Sequence, residues 1–170
     1  MTNPVGEPFR QLFDDNYEYV WRSLRRLGVY EADIEDVTHD VFLAVHQKLA
    51  TYERTRPVRP WLFAFALRYA ADYRKLARHR REAPAVEGTA GGPDAEALVA
   101  EREDARRLYR ALDSLSLEIR AVIVLYEIDD TPMKDVAEAL GIPLNTAYSR
   151  LRLARAQCAA ALQSAAKELR

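Results

Sequence analysis

The residues best suited to binding another molecule lie between Thr131 and Arg155, where basic and amide side chains recur at helical spacing. Gly141 divides this stretch into two helical patterns, and glycine can take the left-handed conformation that a tight turn needs. The second pattern has small apolar residues on one side, namely Ala147, Leu151, Ala154, Cys158, Ala161 and Ala165. Its other side carries donors and cations, namely Asn145, Thr146, Tyr148, Ser149, Arg150, Arg152 and Arg155. Such a helix suits the DNA major groove, so the stretch predicts a helix-turn-helix.

The first helix of this pair is expected to begin at Thr131 and Pro132, because Thr can cap a helix and Pro is tolerated in its first turn. Its buried face follows the i, i+3, i+4, i+7 rule through Met133, Val136, Ala137 and Leu140. Asn145 is the expected N-cap of the second helix. The alternative is an amphipathic helical hairpin with no DNA-binding role, since the apolar pattern alone fits both.

A second set of cations lies between residues 54 and 81, where nine Lys or Arg residues accompany a single acid. We expect a helix over Trp61–Arg81, preceded by a loop that Pro57 and Pro60 stiffen. The basic face predicted here comprises Arg54, Arg56, Arg59, Trp61, Arg68, Arg74, Lys75 and Arg78, with the aromatic rings of Tyr52 and Phe63 nearby. Cations hold phosphates and aromatic rings stack on unpaired bases, so the segment predicts binding to single-stranded or unstacking DNA. A solvated basic surface is the alternative.

An acidic helix precedes this segment. Its outward face between residues 35 and 47 is predicted to show Glu35, Asp36, His39, Asp40, Leu43, His46 and Gln47. Leu43 is an apolar residue in the middle of that polar face, which indicates a protein-docking patch with an acidic rim. A metal site at Asp36 and His39 would require a second such pair on another helix, and the sequence has none. We therefore expect no metal, and an ordinary surface remains the other alternative.

Helical period dominates the chain, which predicts an all-α fold of two small domains joined by a flexible linker. Three helical faces make up the first domain: Phe9, Phe13, Tyr17, Val20, Leu24 and Leu27; Ile34, Val37, Val41 and Val45; Leu62, Phe65, Ala66, Tyr69, Tyr73 and Leu76. The second domain has Leu108, Leu112, Leu115, Ile119, Val122, Ile123 and Tyr126 before the helix-turn-helix. The acidic segment between them is rich in Pro, Gly and small residues. The predicted boundaries are residues 1–82, 83–97 and 98–170.

The charge is segmented although the formal net charge is only −1. Residues 31–40 carry five acids and no Lys or Arg, and residues 82–104 carry seven acids and one Arg. The single Cys158 excludes a disulfide framework and a Cys-based zinc site, and it suits a reducing cytoplasm. The sequence has no secretion signal and no membrane-spanning run, so a cytoplasmic location is expected. It has no Gly-rich phosphate loop and no nucleophile motif, so an enzyme is not expected.

Several short motifs together resemble the extracytoplasmic-function subfamily of bacterial sigma factors, within the sigma-70-like family. The motifs are Asp36-Val37-Thr38-His39-Asp40-Val41-Phe42-Leu43, Trp61-Leu62, Asp72-Tyr73-Arg74, Ala111-Leu112-Asp113-Ser114-Leu115, Ala137-Glu138-Ala139-Leu140-Gly141-Ile142-Pro143, Ser149-Arg150-Leu151 and Ala154-Arg155. Each motif is modest alone, but their order and spacing over about residues 9–162 are specific. The resemblance implies a transcription initiation factor without cofactor or catalysis of its own.

The resemblance also implies a role for each surface. The first domain would dock on the clamp helices of the polymerase largest subunit (β′) through Asp36, His39, Asp40, Leu43 and Gln47. Its basic face would open the −10 element and hold the non-template strand. The helix-turn-helix would read the −35 element through Asn145, Thr146, Tyr148, Ser149, Arg150, Arg152 and Arg155. The linker would thread near the polymerase active site and RNA exit, close to the β and β′ subunits, and a separate anti-sigma protein would mask these surfaces.

A stand-alone helix-turn-helix regulator is the alternative function. Such a protein would use a dimerisation surface to bind two half-sites, and the sequence shows no obvious one. It would also bind duplex promoter DNA tightly without polymerase, whereas a sigma factor of this kind is expected to bind it weakly alone.

Overall fold

The computed structural model describes the backbone of residues 6–80 and 97–168, and the side chains of residues 8–77 and 103–164. Within these ranges the chain forms α-helices and short helical turns, and no strand. The helices are α1 (Gly6–Arg26), α2 (Ile34–Lys48), α3 (Val58–Arg80), α4 (Ala97–Asp113), α5 (Leu117–Ile123), α6 (Met133–Ala139) and α7 (Leu144–Glu168). A 3₁₀ turn follows α2 at Leu49–Thr51, and a π-helical turn follows α5 at Val124–Ile128. The all-α prediction is confirmed.

Helices α1, α2 and α3 pack against one another in the first half of the molecule, residues 6–80. Their buried side chains include Val20, Leu24, Leu27, Val41, Phe42, Val45, Leu62 and Phe63. Gly28 ends α1 with φ +96°, and the Val29 and Gly28 N–H groups donate to the carbonyls of Leu24 and Arg25 at 3.0 and 3.1 Å. This double hydrogen bond is a Schellman cap, which favours glycine because of its positive φ. The predicted end of the first helix is therefore confirmed.

The second half, residues 97–168, is organised around α7. This helix packs against α4, α5 and α6, and its Ala147, Leu151 and Ala154 side chains are buried. The turn of the helix-turn-helix is a second Schellman cap. Gly141 there has φ +63°, and the Ile142 N–H donates to the Ala137 carbonyl at 3.0 Å. The small side chains on one face of α7 allow this close packing, while the polar face remains outside.

Three predicted helix starts are displaced. Helix α3 begins at Val58 rather than Trp61, so Arg59 and Pro60 lie in its first turn. Proline is tolerated there because backbone N–H groups in the first turn have no carbonyl partner within the helix. Helix α7 begins at Leu144, so Asn145 is inside the helix and is not its N-cap. Thr131 does not cap α6, because the helix begins at Met133 with Pro132 at its N-cap position. Side-chain periodicity does not resolve such one-residue to three-residue differences.

Three burial predictions are wrong. Phe63, expected beside the DNA, is 0% exposed, because α3 packs against α6 as well as α1 and α2 and so buries a wider arc. Leu76 is 60% exposed, because it lies near the end of the 23-residue α3. That end extends beyond the 15-residue α2, which packs against the earlier part of α3. Leu108 on α4 is also exposed. The side chain of Arg78 and the predicted linker, apart from the start of α4, lie outside the described residues.

Candidate nucleic-acid interface

The acidic face of α2 is solvent-exposed throughout. Glu35, Asp36, His39, Asp40, Leu43, His46 and Gln47 are all exposed, and Leu43 reaches 64%. The opposite side of the helix buries Ile34, Val41 and Val45, which fixes the orientation of the helix. The rings of Phe9 and Tyr17 on α1 lie against His46 and His39, with centroids 4.6 and 6.0 Å apart. We name Asp36, His39, Asp40, Leu43 and Gln47 the docking face; its geometry suits a partner with cationic groups around an apolar pocket.

The basic face of α3 and its preceding loop is also exposed for the most part. Arg54, Arg56, Arg59, Arg68 and Lys75 are exposed, while Trp61 and Arg74 are half-buried. The Trp61 ring lies between the rings of Tyr52 and Phe65, with centroid distances of 4.7 and 5.0 Å. The Tyr52 hydroxyl donates to the Arg56 carbonyl at 2.6 Å, which closes the loop. Cations and an aromatic cluster are thus held side by side, as single-strand binding requires.

Several members of this basic face already have partners inside the chain. Arg56 pairs with Glu53 at 2.9 Å and with Glu138 of the second half at 2.6 Å. The Arg59 guanidinium lies 5.2 Å from the centre of the Tyr19 ring. Arg74 donates a long hydrogen bond of 3.4 Å to the Leu27 carbonyl. These contacts orient the arginines, and the exposed pair with Glu138 is weak enough to exchange for phosphate.

The polar face of α7 presents its donors to solvent. Asn145, Tyr148, Ser149, Arg152 and Arg155 are exposed, and Thr146 and Arg150 are half-buried at its flank, as predicted. Asn145, Thr146, Ser149, Arg150 and Leu153 line a shallow depression of about 320 Å³. Arg155 pairs with Glu127 through its Nε at 2.6 Å, so this arginine is held against the π-helical turn. We name the seven predicted residues of α7 the reading face.

A polar interface between the two halves was not predicted. It consists of Tyr19 and Arg26 on α1, Arg120 on α5 and Asp129 after the π-helical turn. Tyr19 and Arg26 donate to the Asp129 carboxylate at 2.9 and 3.0 Å, and Arg120 Nε donates to the Arg26 carbonyl. One signal could have revealed it: Arg120 is the single charge within the apolar run from Ile119 to Leu125, a position at which a buried charge requires a partner.

Burial shifts the acid–base properties of this interface. It raises the pKa of Asp129, although the hydrogen bond from Tyr19 and the charges of Arg26 and Arg59 act in the opposite direction. Burial also raises the pKa of Tyr19, with the Asp129 charge adding to it, and lowers the pKa of Arg120. Burial likewise raises the pKa of the half-buried Cys158 thiol. Among the described residues, no three His, Cys, Asp or Glu side chains converge as a metal site would need.

Comparison with known proteins places both halves in one family. Residues 12–81 match the family model for sigma-70 region 2, and residues 105–158 match that for sigma-70, region 4. The RNA polymerase sigma factor CnrH of Cupriavidus metallidurans is 31% identical over 153 residues, which cover 84% of this chain and 80% of that protein. The sigma factor SigL of Mycobacterium tuberculosis is 32% identical over 148 residues, covering 85% and 83% of the two chains.

Solved structures show the same architecture. CnrH in complex with the cytosolic domain of CnrY has a TM-score of 0.68 at 29% identity, covering 92% of this chain and 88% of that chain. The sigma factor RpoE of Bartonella quintana in complex with the anti-sigma factor NepR has a TM-score of 0.71 at 21% identity, covering 92% and 98%. No helix in the described ranges is long and apolar enough to cross a bilayer. The chain belongs to the sigma-70 family of RNA polymerase sigma factors, in its extracytoplasmic-function branch.

Proposed function

We propose that the three surfaces described above divide the work of this sigma factor. The observation that supports this most directly is their separation: an acidic face with an exposed leucine on α2, a basic face on α3, and a donor-rich face on α7. Opposite charges on neighbouring helices suit two different macromolecules, since the acidic face repels phosphate and the basic face attracts it.

The docking face would bind the clamp helices of the polymerase β′ subunit. Leu43 is 64% exposed in the centre of this face, and Asp36 and Asp40 lie around it. An exposed leucine surrounded by charges has the composition of an interface core with a polar rim. This assignment makes residues 1–82 the polymerase-docking and −10 domain.

The basic face would bind the −10 element after strand separation. Arg54, Arg56, Arg59, Arg68, Arg74, Lys75 and Arg78 would neutralise phosphates, and the half-buried Trp61 would offer its ring to an unstacked base. Helix α7 would lie in the major groove of the −35 element, with Arg150 and Arg152 beside base edges or phosphates. Residues 98–170 form this second domain, and residues 83–97 would pass between the β and β′ subunits.

The chain would act in the cytoplasm, where the polymerase acts, with no catalysis and no cofactor of its own. An anti-sigma protein is a further proposed partner. The two similar solved structures are complexes of CnrH with CnrY and of RpoE with the anti-sigma factor NepR. Such a partner would cover the surfaces that otherwise bind polymerase and promoter.

The proposed function is tested by adding the purified chain to core RNA polymerase and measuring association and transcription from the promoter upstream of its own gene. Leu43→Asp is expected to weaken association at least tenfold while circular dichroism remains unchanged, because the side chain is exposed. Leu162→Asp is the matched control, since Leu162 is an exposed leucine on α7. Tight duplex binding by the free chain without polymerase association would instead establish the stand-alone regulator.

A further inference from the structure

A cavity of about 470 Å³ lies where the end of α1 and the loop after it meet α3, α4 and α5. Its volume falls within the range of small-molecule sites, which is about 300–1,000 Å³. No residue of the docking face or of the reading face lines it, and it shares Arg74 with the basic face. We name it the arginine cavity, because its lining includes three arginines together with three tyrosines, namely Arg25, Arg74, Arg120, Tyr30, Tyr73 and Tyr109.

Arg120 is the most deeply buried cation of this cavity, and one of its donors is unused. Its side chain is 1% exposed, its Nε donates to the Arg26 carbonyl, and its Nη1 donates to Asp113 at 2.9 Å. Its Nη2 is buried and has no hydrogen-bond partner in the described part of the chain. Buried donors in native proteins nearly always have an acceptor, because leaving one unpaired is costly. The Nη2 of Arg120 therefore indicates an acceptor that the described residues do not supply.

A second guanidinium lies beside the first. A Cβ at Gly28 would lie 3.4 Å from the Nη1 atoms of both Arg74 and Arg120, so the two groups flank the same point. Arg74 is half-buried and donates one long hydrogen bond of 3.4 Å to the Leu27 carbonyl. No carboxylate that the structure describes forms an ion pair with Arg74. Two like charges held together away from bulk water favour an anion beside them.

The acids of the arginine cavity lie at its solvent side. Glu31 and Asp113 belong to the lining, and their side chains are 68% and 66% exposed. Arg25 pairs with Glu31 at a long 3.6 Å, and Asp113 already accepts from Arg120. Three arginines against two solvated acids leave an excess of positive charge at the buried end. An anion with several oxygens would accept from Arg74 and from the unused donor of Arg120 together.

The aromatic lining indicates that this anion carries a flat ring. The Arg25 guanidinium carbon lies 5.0 Å from the centre of the Tyr109 ring. The rings of Tyr30 and Tyr73 meet edge to face with their centroids 6.3 Å apart, and Tyr30 is 46% exposed. The Tyr73 hydroxyl donates to Asp33 at 2.6 Å, which fixes the position of its ring. Aromatic rings beside guanidinium groups suit a nucleotide, whose base stacks and whose phosphates are charged.

We infer that the arginine cavity binds a phosphorylated small molecule of the nucleotide class, with its phosphates on Arg74 and Arg120 and its ring against the tyrosines. The planar fork of a guanidinium matches phosphate oxygens in pairs, and arginine keeps its charge at neutral pH. The inference goes beyond the proposed function, since it adds a small-molecule ligand to polymerase and promoter DNA.

Isothermal titration calorimetry of the full chain tests this site. The probes are ATP, inorganic pyrophosphate and adenosine, in a buffer of low ionic strength without phosphate or divalent cations. Arg74→Gln is the test variant, because it removes one guanidinium of the cavity and only one long hydrogen bond of the fold. Lys75→Gln is the matched control, since it removes the same charge from the next position of α3 and does not line the cavity. Circular dichroism verifies that both variants are folded.

We expect ATP to bind with a stoichiometry near one. Pyrophosphate should bind at least tenfold more weakly and adenosine should give no measurable heat, because stacking and charge each contribute to binding. Arg74→Gln should weaken ATP binding by about tenfold or more, as the loss of a charge-assisted hydrogen bond implies. Lys75→Gln should change it by less than about threefold, since an exposed charge outside the site contributes little.

Arg120→Met tests the buried end of the cavity separately. It keeps the volume of the side chain and removes the unused donor, so it should also weaken ATP binding by about tenfold or more. A urea titration shows whether this variant is folded, and if it is not, the comparison of Arg74→Gln with Lys75→Gln decides alone.

Three results would overturn the inference. If the wild-type chain binds neither ATP nor pyrophosphate, the acceptor for Arg120 is water. If Arg74→Gln loses no more affinity than Lys75→Gln, the nucleotide binds the basic surface of α3 in general. If pyrophosphate or adenosine binds as tightly as ATP, the ligand is not of the nucleotide class. None of these measurements uses polymerase or promoter DNA, so failure of the proposed function would be seen independently.

Discussion

The docking face on α2 and the polar interface between the halves use charged residues in opposite ways. Asp36 and Asp40 on α2 are exposed, and neither forms an ion pair within the described residues. Arg120 and the Asp129 side chain are buried, and each bonds a group of the first half. An ionised side chain pays little desolvation free energy when it stays in water, and it requires hydrogen-bonding or charged partners when it is buried. The docking face is therefore prepared for an external partner, and the interface already has an internal one.

The two regions also differ in what binding would require of each. The charges of the docking face are already exposed, whereas Arg56 of the basic face is paired with Glu138, and its helix packs on α6. The proposed binding of phosphate by Arg56 would therefore replace an existing exposed ion pair. The predictions below either remove one side of this comparison or measure it, in order of decreasing expected effect.

The largest expected effect comes from the reading face, most of whose side chains are exposed. Arg150→Ala with Arg152→Ala should weaken binding to the −35 element by about 2 to 6 kcal/mol, since each base or phosphate contact contributes about 1–3 kcal/mol. Transcription that depends on the −35 element should fall as a result. Arg106→Ala with Arg107→Ala on α4 is the matched control. Polymerase binding should not change. Unaltered promoter output from the α7 variant would contradict the placement of the reading face.

Arg120 should have the next largest effect because it fills buried space as well as bonding the Arg26 carbonyl. Arg120→Ala is expected to lower the free energy of unfolding by about 2–4 kcal/mol in urea titrations. Arg120→Met should lose much less, since it keeps the volume and removes the desolvation cost. Equal losses for the two variants would mean that the hydrogen bonds, rather than packing, dominate the contribution of Arg120.

The docking face was predictable from sequence and the polar interface was not, for a physical reason. Residues of the docking face are set by the period of a single helix, so burying Ile34, Val41 and Val45 exposes them. The bond between Arg120 and the Arg26 carbonyl joins positions 94 residues apart and depends on how two halves pack. The local pattern around Arg120 indicates that the buried charge needs a partner, but it does not indicate which residue supplies it.

The same reasoning explains the smaller errors. Gly28 and Gly141 were predicted as helix ends because a positive φ favours glycine there. Phe63 was assigned to the DNA side because its place on the helix is ambiguous until α6 covers it. Helix starts at Val58 and Leu144 were missed because the prolines near them permit several beginnings.

Tyr19→Phe removes one hydrogen bond of the interface and leaves the packing of the ring. The Asp129 carboxylate would lose a donor at 2.9 Å while still buried, so we expect the free energy of unfolding to fall by about 1–2 kcal/mol. Urea titrations provide the measurement. Tyr126→Phe is the control, because the Tyr126 hydroxyl makes no hydrogen bond within the described residues. An equal loss in both variants would argue against a specific role for Tyr19.

The two cap glycines test backbone strain at the ends of α1 and α6. Both have positive φ, so alanine at either position should cost about 1 kcal/mol of unfolding free energy. A Cβ at Gly141 meets nothing within 4 Å, and one at Gly28 makes only ordinary van der Waals contact, at 3.4 Å, with the side-chain ends of Arg120 and Arg74. The two variants should therefore lose similar amounts of stability in urea titrations. A clearly larger loss for Gly28→Ala would show that the Arg120 side chain cannot adjust.

The smallest effect should be a dependence of stability on pH through Asp129. Burial raises the pKa of this carboxyl in the folded chain above its ordinary value, so the folded chain binds a proton more readily than the unfolded one. This contribution to the free energy of unfolding is fully present below the ordinary carboxyl pKa of about 4, and it is lost as pH rises through the raised pKa. Of the groups facing Asp129, Tyr19 has a raised pKa and stays neutral, and the charges of Arg26 and Arg59 oppose the effect of burial. Asp129→Asn should flatten the dependence of the urea midpoint on pH, and an unchanged slope would assign that dependence to other carboxylates.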